Sequence, residues 1–275
     1  MLQQKGYQYR IYPTKQQQQL INQTLGCVRF VYNRFLNIRK EAWTNSKTSV
    51  TYKQTSKMLT ELKCEPDYVW LKAVDSTSLQ QALKDLDKGF KNFFAKKAGY
   101  PRYKSKHNHC LSYRSQCVNN NIAITNGKLK LPKIGLVKIK LSRNFTGRIL
   151  NVTVSRKATG KYFVSLCVEE EVEIFPNNGG EIGIDVGIKD FYSDSNGDVA
   201  ANPKTLKKYS KKLAREQRKL SRKAKGSNNR NKQRIIVARV HEKIANIRKD
   251  YLNKVSTKLV KENQLIGIED LQVRN

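Results

Sequence analysis

Two acids stand where acids are costly. Asp185 lies in Gly183-Ile184-Asp185-Val186-Gly187, and Glu269 in Ile266-Gly267-Ile268-Glu269-Asp270. A carboxylate inside an apolar strand is unfavourable unless it is paired or holds a cation. Gly187 permits close approach of backbone or ligand. One acid at a strand end is ordinarily a cap or a surface residue, but two in matching contexts on adjacent strands would bring their carboxylates together. Hard oxygen donors of this kind suit Mg²⁺ or Mn²⁺ rather than zinc. Two such ions about 3.5–4 Å apart activate water and stabilise the leaving oxygen in phosphodiester cleavage. That chemistry needs a third ligand, and no third strand-borne acid is evident.

The other metal-capable cluster is His107, His109, Cys110 and Cys117, whose spacing matches no common zinc finger. It reads as polar loop histidines with two half-buried thiols. The five cysteines form no C-x-x-C pair. A disulfide framework and a complete zinc site are therefore not expected, as in a cytosolic protein.

Charge points to the partner. Lys and Arg number 54 against 22 Asp and Glu, a net +32 on a chain that is 38% hydrophobic and able to fold. Such an excess calls for a polyanion, nucleic acid before membrane. No apolar run approaches the roughly 18 residues that span a bilayer, and Met1 to Arg10 has no apolar leader core. Lys204 to Lys249 holds 18 Lys/Arg and two acids, Glu216 and Glu242. A solvated helix face normally mixes both signs, so a phosphate-facing role is favoured.

These residues need elements to position them. Tyr7, Tyr9 and Ile11 alternate with polar neighbours and predict a strand closed by Pro13. Thr14 and Gln17 form a capping-box pattern, followed by a helix over about 15–43. A second helix is expected over 52–63. A third starts near Asp75 or Ser76, with Leu79, Leu83, Leu86, Phe90 and Phe93 on one face and Gly99 and Pro101 as its end. From Cys110 the period becomes two, with Asn126-Gly127 as a hairpin turn. Several short strands there predict a small barrel that the first strand completes. Pro176 to Gly180 reads as a linker. A β-meander follows over Ile182–Val186, Phe191–Asp194 and Val199, turning at Ser195-Asn196-Gly197. Then come a basic helical hairpin bent at Gly226 to Asn231 and a last strand over Leu265–Glu269.

Gly183-Ile184-Asp185-Val186-Gly187-Ile188-Lys189 resembles the first RuvC motif of the TnpB (OrfB) proteins of insertion sequences, and Ile268-Glu269-Asp270-Leu271 resembles the second. Tyr9-Arg10-Ile11-Tyr12-Pro13-Thr14, Arg29-Phe30-Val31-Tyr32-Asn33 and Gly99-Tyr100-Pro101-Arg102-Tyr103-Lys104-Ser105-Lys106 are similar to the family's N-terminal signatures, in order along the chain. The resemblance implies an α+β, multidomain protein. Residues 1–14 with 107–176 would form a wedge, an OB-like β-barrel. A helical recognition domain, 15–106, would be inserted in it. An incomplete RNase H-like RuvC domain, 180–275, would carry the hairpin 203–262. It implies an RNA-guided DNA endonuclease with a guide RNA from the transposon end, base pairing reading the target, and a cytoplasmic, nucleoid-associated prokaryotic setting. Asp185 and Glu269 would be catalytic acids and ligands of Mg²⁺ or Mn²⁺. Arg10, Arg29, Arg102, Lys104, Lys106, Lys207, Lys208, Lys211, Lys212, Arg215, Arg218 and Arg222 would bind nucleic acid. Family members continue past the second motif with a zinc ribbon and a third acid, so a catalytically incomplete chain is expected, with zinc confined to that further segment. The alternative is a non-catalytic RNA/DNA-binding protein or repressor derived from such a nuclease.

Overall fold

The computed structural model describes residues 1–107, 110–172 and 179–270. The chain divides into two compact units, Met1–Val172 and Glu173–Asn275.

In the first unit, β1 (Leu2–Tyr12) leads into α1 (Lys15–Ser46). The capping box forms as its residues predict. The Gln17 N–H donates to Thr14 Oγ1 and the Thr14 N–H to Gln17 Oε1. Two more helices follow, α2 (Tyr52–Leu62) and α3 (Ser76–Phe94), with a 3-10 helix, Pro66–Ala73, between them. A second capping box, Thr51 with Gln54, starts α2. Asp75 caps α3 and also accepts from Ser115 Oγ across to the sheet. Helix α3 stops at Phe94, five residues before Gly99. Lys96 enters the left-handed region (φ 56°) and the chain turns back. Tyr100 then packs edge-on against Phe90 and Phe93.

The strands after α3 are β2 (Cys110–Gln116), β3 (Ala123–Thr125), β4 (Lys128–Leu131), β5 (Gly135–Lys140), β6 (Arg148–Lys157) and β7 (Tyr162–Glu171). They form one antiparallel sheet in the order β2-β6-β7-β1-β5-β4-β3. The first strand joins the later ones as expected, pairing along Leu2–Ile11 with β7 and along Arg10–Tyr12 with β5. Asn126 (φ 50°) and Gly127 (φ 68°) make the two-residue turn between β3 and β4. Among the described residues no ladder joins the edge strands β2 and β3. Buried Tyr9, Ile11, Val154 and Leu166 from the sheet share one apolar core with Ile21, Phe35, Leu79 and Leu83 from the helices.

The second unit is a four-stranded sheet, β10-β9-β8-β11, made of β8 (Glu181–Asp185), β9 (Tyr192–Asp194), β10 (Val199–Ala200) and β11 (Leu265–Ile268). The expected turn between β9 and β10 is held by Asp194 Oδ1, which accepts from the N–H of Asn196 and of Asp198. Between β10 and β11 run α4 (Thr205–Ser221) and α5 (Asn228–Glu262). Helix α5 begins inside the predicted bend, because Ser227 caps it and Gly226 takes the positive φ (86°). Of the expected linker, Pro176, Asn177 and Asn178 lie outside the described residues. A Cβ on Gly180 would stand 2.5 Å from the Glu262 carbonyl oxygen, so glycine is required where β8 passes the end of α5.

Candidate active site and nucleic-acid interface

β8 and β11 are parallel and in register: Ile182 opposes Ile266, Gly183 opposes Gly267 and Ile184 opposes Ile268. The next residues along are Asp185 and Glu269. Side chains alternate along a strand. Ile182 and Ile184 turn to the covered face, where Val255 and Leu259 of α5 and Tyr192 pack on them. Asp185 belongs to the other face, with Glu181 and Gly183, and both Asp185 and Glu269 are exposed. The ladder ends at Ile184 and Ile268, and each acid follows directly after its strand's last paired residue. Strands lie about 4.8 Å apart, so two carboxylates so placed can share one cation. Among the described residues, no three His, Cys, Asp or Glu side chains gather into a metal-sized group. His107 is exposed and Cys117 donates weakly to the Ile122 carbonyl at 3.5 Å. His109 and the Cys110 side chain lie outside the described residues.

Lys207, Lys211, Arg215, Arg218 and Arg222 step by four, four, three and four along α4, which makes one helical stripe. Lys208 and Lys212 flank it, and all seven are exposed. The acid in this run is not on that face. Glu216 is buried against α5, where Gln233 Nε2 donates to its Oε2 at 2.8 Å. Arg215 and Lys219 reach its other oxygen. Above all the Gln233 hydrogen bond holds the Glu216 carboxyl below its ordinary range. Arg230, inside the basic run, does structural work instead: Nη1 donates to the carbonyls of Leu220 and Lys223 at the end of α4.

In the first unit, the segment after α3 is clipped to α1. Asn33 Oδ1 accepts the Lys104 N–H at 2.7 Å and Asn33 Nδ2 donates to the Lys104 carbonyl at 3.0 Å. The Lys104 ammonium lies 4.1 Å from the centre of the Tyr32 ring, and loss of hydration there lowers its pKa. Tyr103 donates to Asn37. Arg29 sits one turn before Asn33, half-buried, while Arg102 and Lys106 are exposed. Arg10 stands apart from this group on β1, its guanidinium over the Tyr12 ring and its Nε without a hydrogen-bond partner.

Four cations escaped the sequence reading. Arg10 is paired with Lys140, Tyr12 with Lys138, and Lys138 with Lys128. Together with Lys130 these lysines are exposed on the outer face of the sheet. The signal was available: Lys128-Leu129-Lys130-Leu131 and Val137-Lys138-Ile139-Lys140 alternate cation and apolar residue without an acid.

A family model described as "Probable transposase" (OrfB_IS605) matches residues 165–275. Another, described as "Helix-turn-helix domain" (HTH_OrfB_IS605), matches residues 1–48, which here form strand β1 and the single long helix α1. The chain is 43% identical, over 98% of its length, to a Streptomyces pristinaespiralis protein named "Putative RNA-guided DNA endonuclease", and spans 68% of that relative. It is 38% identical, again over 98%, to "Putative RNA-guided DNA endonuclease InsQ" of Escherichia coli (strain K12), spanning 67% of it. A solved assembly described as "Cryo-EM structure of the Cas12f1-sgRNA-target DNA complex" aligns over 98% of this chain and 74% of its own at 15% identity, with a TM-score of 0.37.

Proposed function

The chain belongs to the TnpB (OrfB) family of insertion-sequence proteins, and from that premise we propose that it is an RNA-guided DNA endonuclease whose cleavage site is built on Asp185 and Glu269. The observation that carries this is the parallel β8–β11 register, which brings two acids 84 positions apart in the sequence to neighbouring strand ends on an open face. Mg²⁺ is commonly held by one or two carboxylates, with water and substrate phosphate completing its shell. The donor set fits that ion, and Asp185 and Glu269 would hold it. When bound, it supplies Lewis-acid stabilisation of the charge that develops in phosphodiester hydrolysis.

The remaining residues bind and orient. The α4 stripe meets the phosphate backbone, which positions a nucleic acid without reading its sequence. Residues 1–14 with 107–176 act as a wedge, here read as a barrel-like sheet, and 15–106 as the recognition domain. The Asn33–Lys104 clip fixes the basic segment Arg102–Lys106 against α1 within the recognition domain. The guide is a transposon-end RNA and the target a matched DNA.

The test combines the protein, extended by the further segment that family members carry, with Mg²⁺, transposon-end RNA and matched DNA. Cleavage that disappears in Asp185→Ala and in Glu269→Ala, with binding retained, is the expected result. Binding lost together with cleavage would show the acids to be structural and would overturn the assignment.

A further inference from the structure

A groove of about 600 Å³ opens on the second unit between the turn after β8, the entry to α4 and the middle of α5. That volume lies in the range of clefts that take small ligands. Its lining joins two chemistries. Ile188 is 93% exposed and Leu206 54%, and Tyr251 adds an aromatic wall with Phe191 edge-on behind it, ring centres 5.4 Å apart. At the rim stand Lys204, Lys207 and Arg248, and no acid lines the groove. None of the three cations pairs with a carboxylate among the described residues.

The walls are tied in place. Asn202 Nδ2 donates to the Ile188 carbonyl while Asn202 Oδ1 accepts the Lys204 N–H, each at 3.0 Å, so one side chain links the post-β8 turn to the start of α4. Tyr251 donates its hydroxyl to the Ala201 carbonyl at 2.7 Å. Ile188 follows Asp185 by only three residues, so the groove opens beside the end of β8 that carries the first acid.

We propose that this groove holds one unpaired nucleotide of a DNA strand, with its base against Ile188, Leu206 and Tyr251 and its phosphate among Lys204, Lys207 and Arg248, and so guides that strand to the acid pair. An apolar wall beside three cations complements a nucleotide, which is itself a flat apolar face joined to an anion. In a duplex both faces of a base are covered by its neighbours, so only an unpaired base can take this place. The choice of DNA rests on the reading of Asp185 and Glu269 as a DNA-cleaving pair.

The test uses the intact protein, fluorescent oligonucleotides and the double substitution Ile188→Asn with Leu206→Asn, two exposed positions outside the buried clusters. Affinity for single-stranded DNA is expected to fall about tenfold, the scale of losing a base contact, while duplex affinity and the salt dependence stay unchanged. A single strand with an abasic site at the contacted position should bind the unaltered protein as weakly as the double variant binds the normal strand. Equal losses on single strand and duplex, or no loss, would overturn the proposal. A loss confined to an RNA oligonucleotide would overturn the assignment to DNA. If the unaltered protein binds no DNA at all, the endonuclease reading falls with it. If it binds DNA and only the double variant is indistinguishable, the groove assignment alone is wrong.

Discussion

Asn33 grips Lys104 by both backbone groups, accepting its N–H and donating to its carbonyl. An amide side chain is the one neutral group that can mimic a neighbouring strand in this way. The clip joins two segments 71 residues apart, each of which carries one of the motifs that stand out in the sequence.

Removing it should release the basic segment without unfolding the unit. Asn33→Ala should cost about 1–2 kcal/mol, the range for two modest hydrogen bonds, measured by chemical denaturation. Asn33→Asp keeps the acceptor and loses the donor, and should cost less. Proteolysis should become easier after Arg102 and Lys104. An unchanged denaturation midpoint in Asn33→Ala would show that the clip adds nothing.

The α4 stripe should act through phosphates. Replacing Lys211, Lys212, Arg215 and Arg218 together with Gln should weaken binding evenly across sequences. It should also flatten the logarithmic dependence of affinity on salt by about 0.9 for each lost contact to duplex DNA. A sequence-selective loss would mean instead that these side chains read bases.

Glu216 gives the helical hairpin a pH dependence. Its carboxyl is held below the ordinary value of 4.5, chiefly by Gln233. A group with a depressed folded-state pKa binds protons more tightly in the unfolded chain. Its contribution is therefore present in full above the ordinary value and is lost as pH falls through the depressed one. Glu216→Gln should lower stability at neutral pH and flatten the fall below pH 4.5, as followed by circular dichroism in an acid titration. Parallel acid curves for the two proteins would contradict this.

Gly180→Ala should damage the second unit selectively. The added Cβ would meet backbone, the Glu262 carbonyl oxygen, which cannot swing aside as a side chain would. A cost on the order of 1–3 kcal/mol is typical of such overpacking. Hydrogen exchange should quicken in β8 and β11 and stay unchanged in β1 and β7.

Much of this was legible because the signals are local. Thr14 and Gln17 announce α1, and Asn126-Gly127 announces a hairpin, since each acts within four residues. The strand-borne acids stood out because their apolar contexts match. Other features depend on distant partners and leave no such mark. Nothing near Glu216 says that Gln233 will bury it, and Arg230 looks like any other cation in its run until it meets the carbonyls of Leu220 and Lys223. The register that aligns Ile184 with Ile268, each one residue before an acid, forms across a whole helical hairpin and leaves no local mark in the sequence. The sheet lysines are a cluster only once β4 and β5 pair, because each strand alone reads as an ordinary alternation of cation and apolar residue.

The place of β1 also sets a timetable. β1 precedes every strand of its sheet in the sequence, yet it lies between β5 and β7, and its partners run as far as Glu171. At about 5–20 residues per second, on the order of ten to thirty seconds separate the emergence of Tyr12 from that of its last partner. For that interval Tyr7, Tyr9 and Ile11 have no sheet to enter, although α1 can already coil behind them. The sheet of the first unit therefore closes late, by capture of its oldest strand, and a nascent chain stalled before β7 would carry β1 as a bare apolar ribbon.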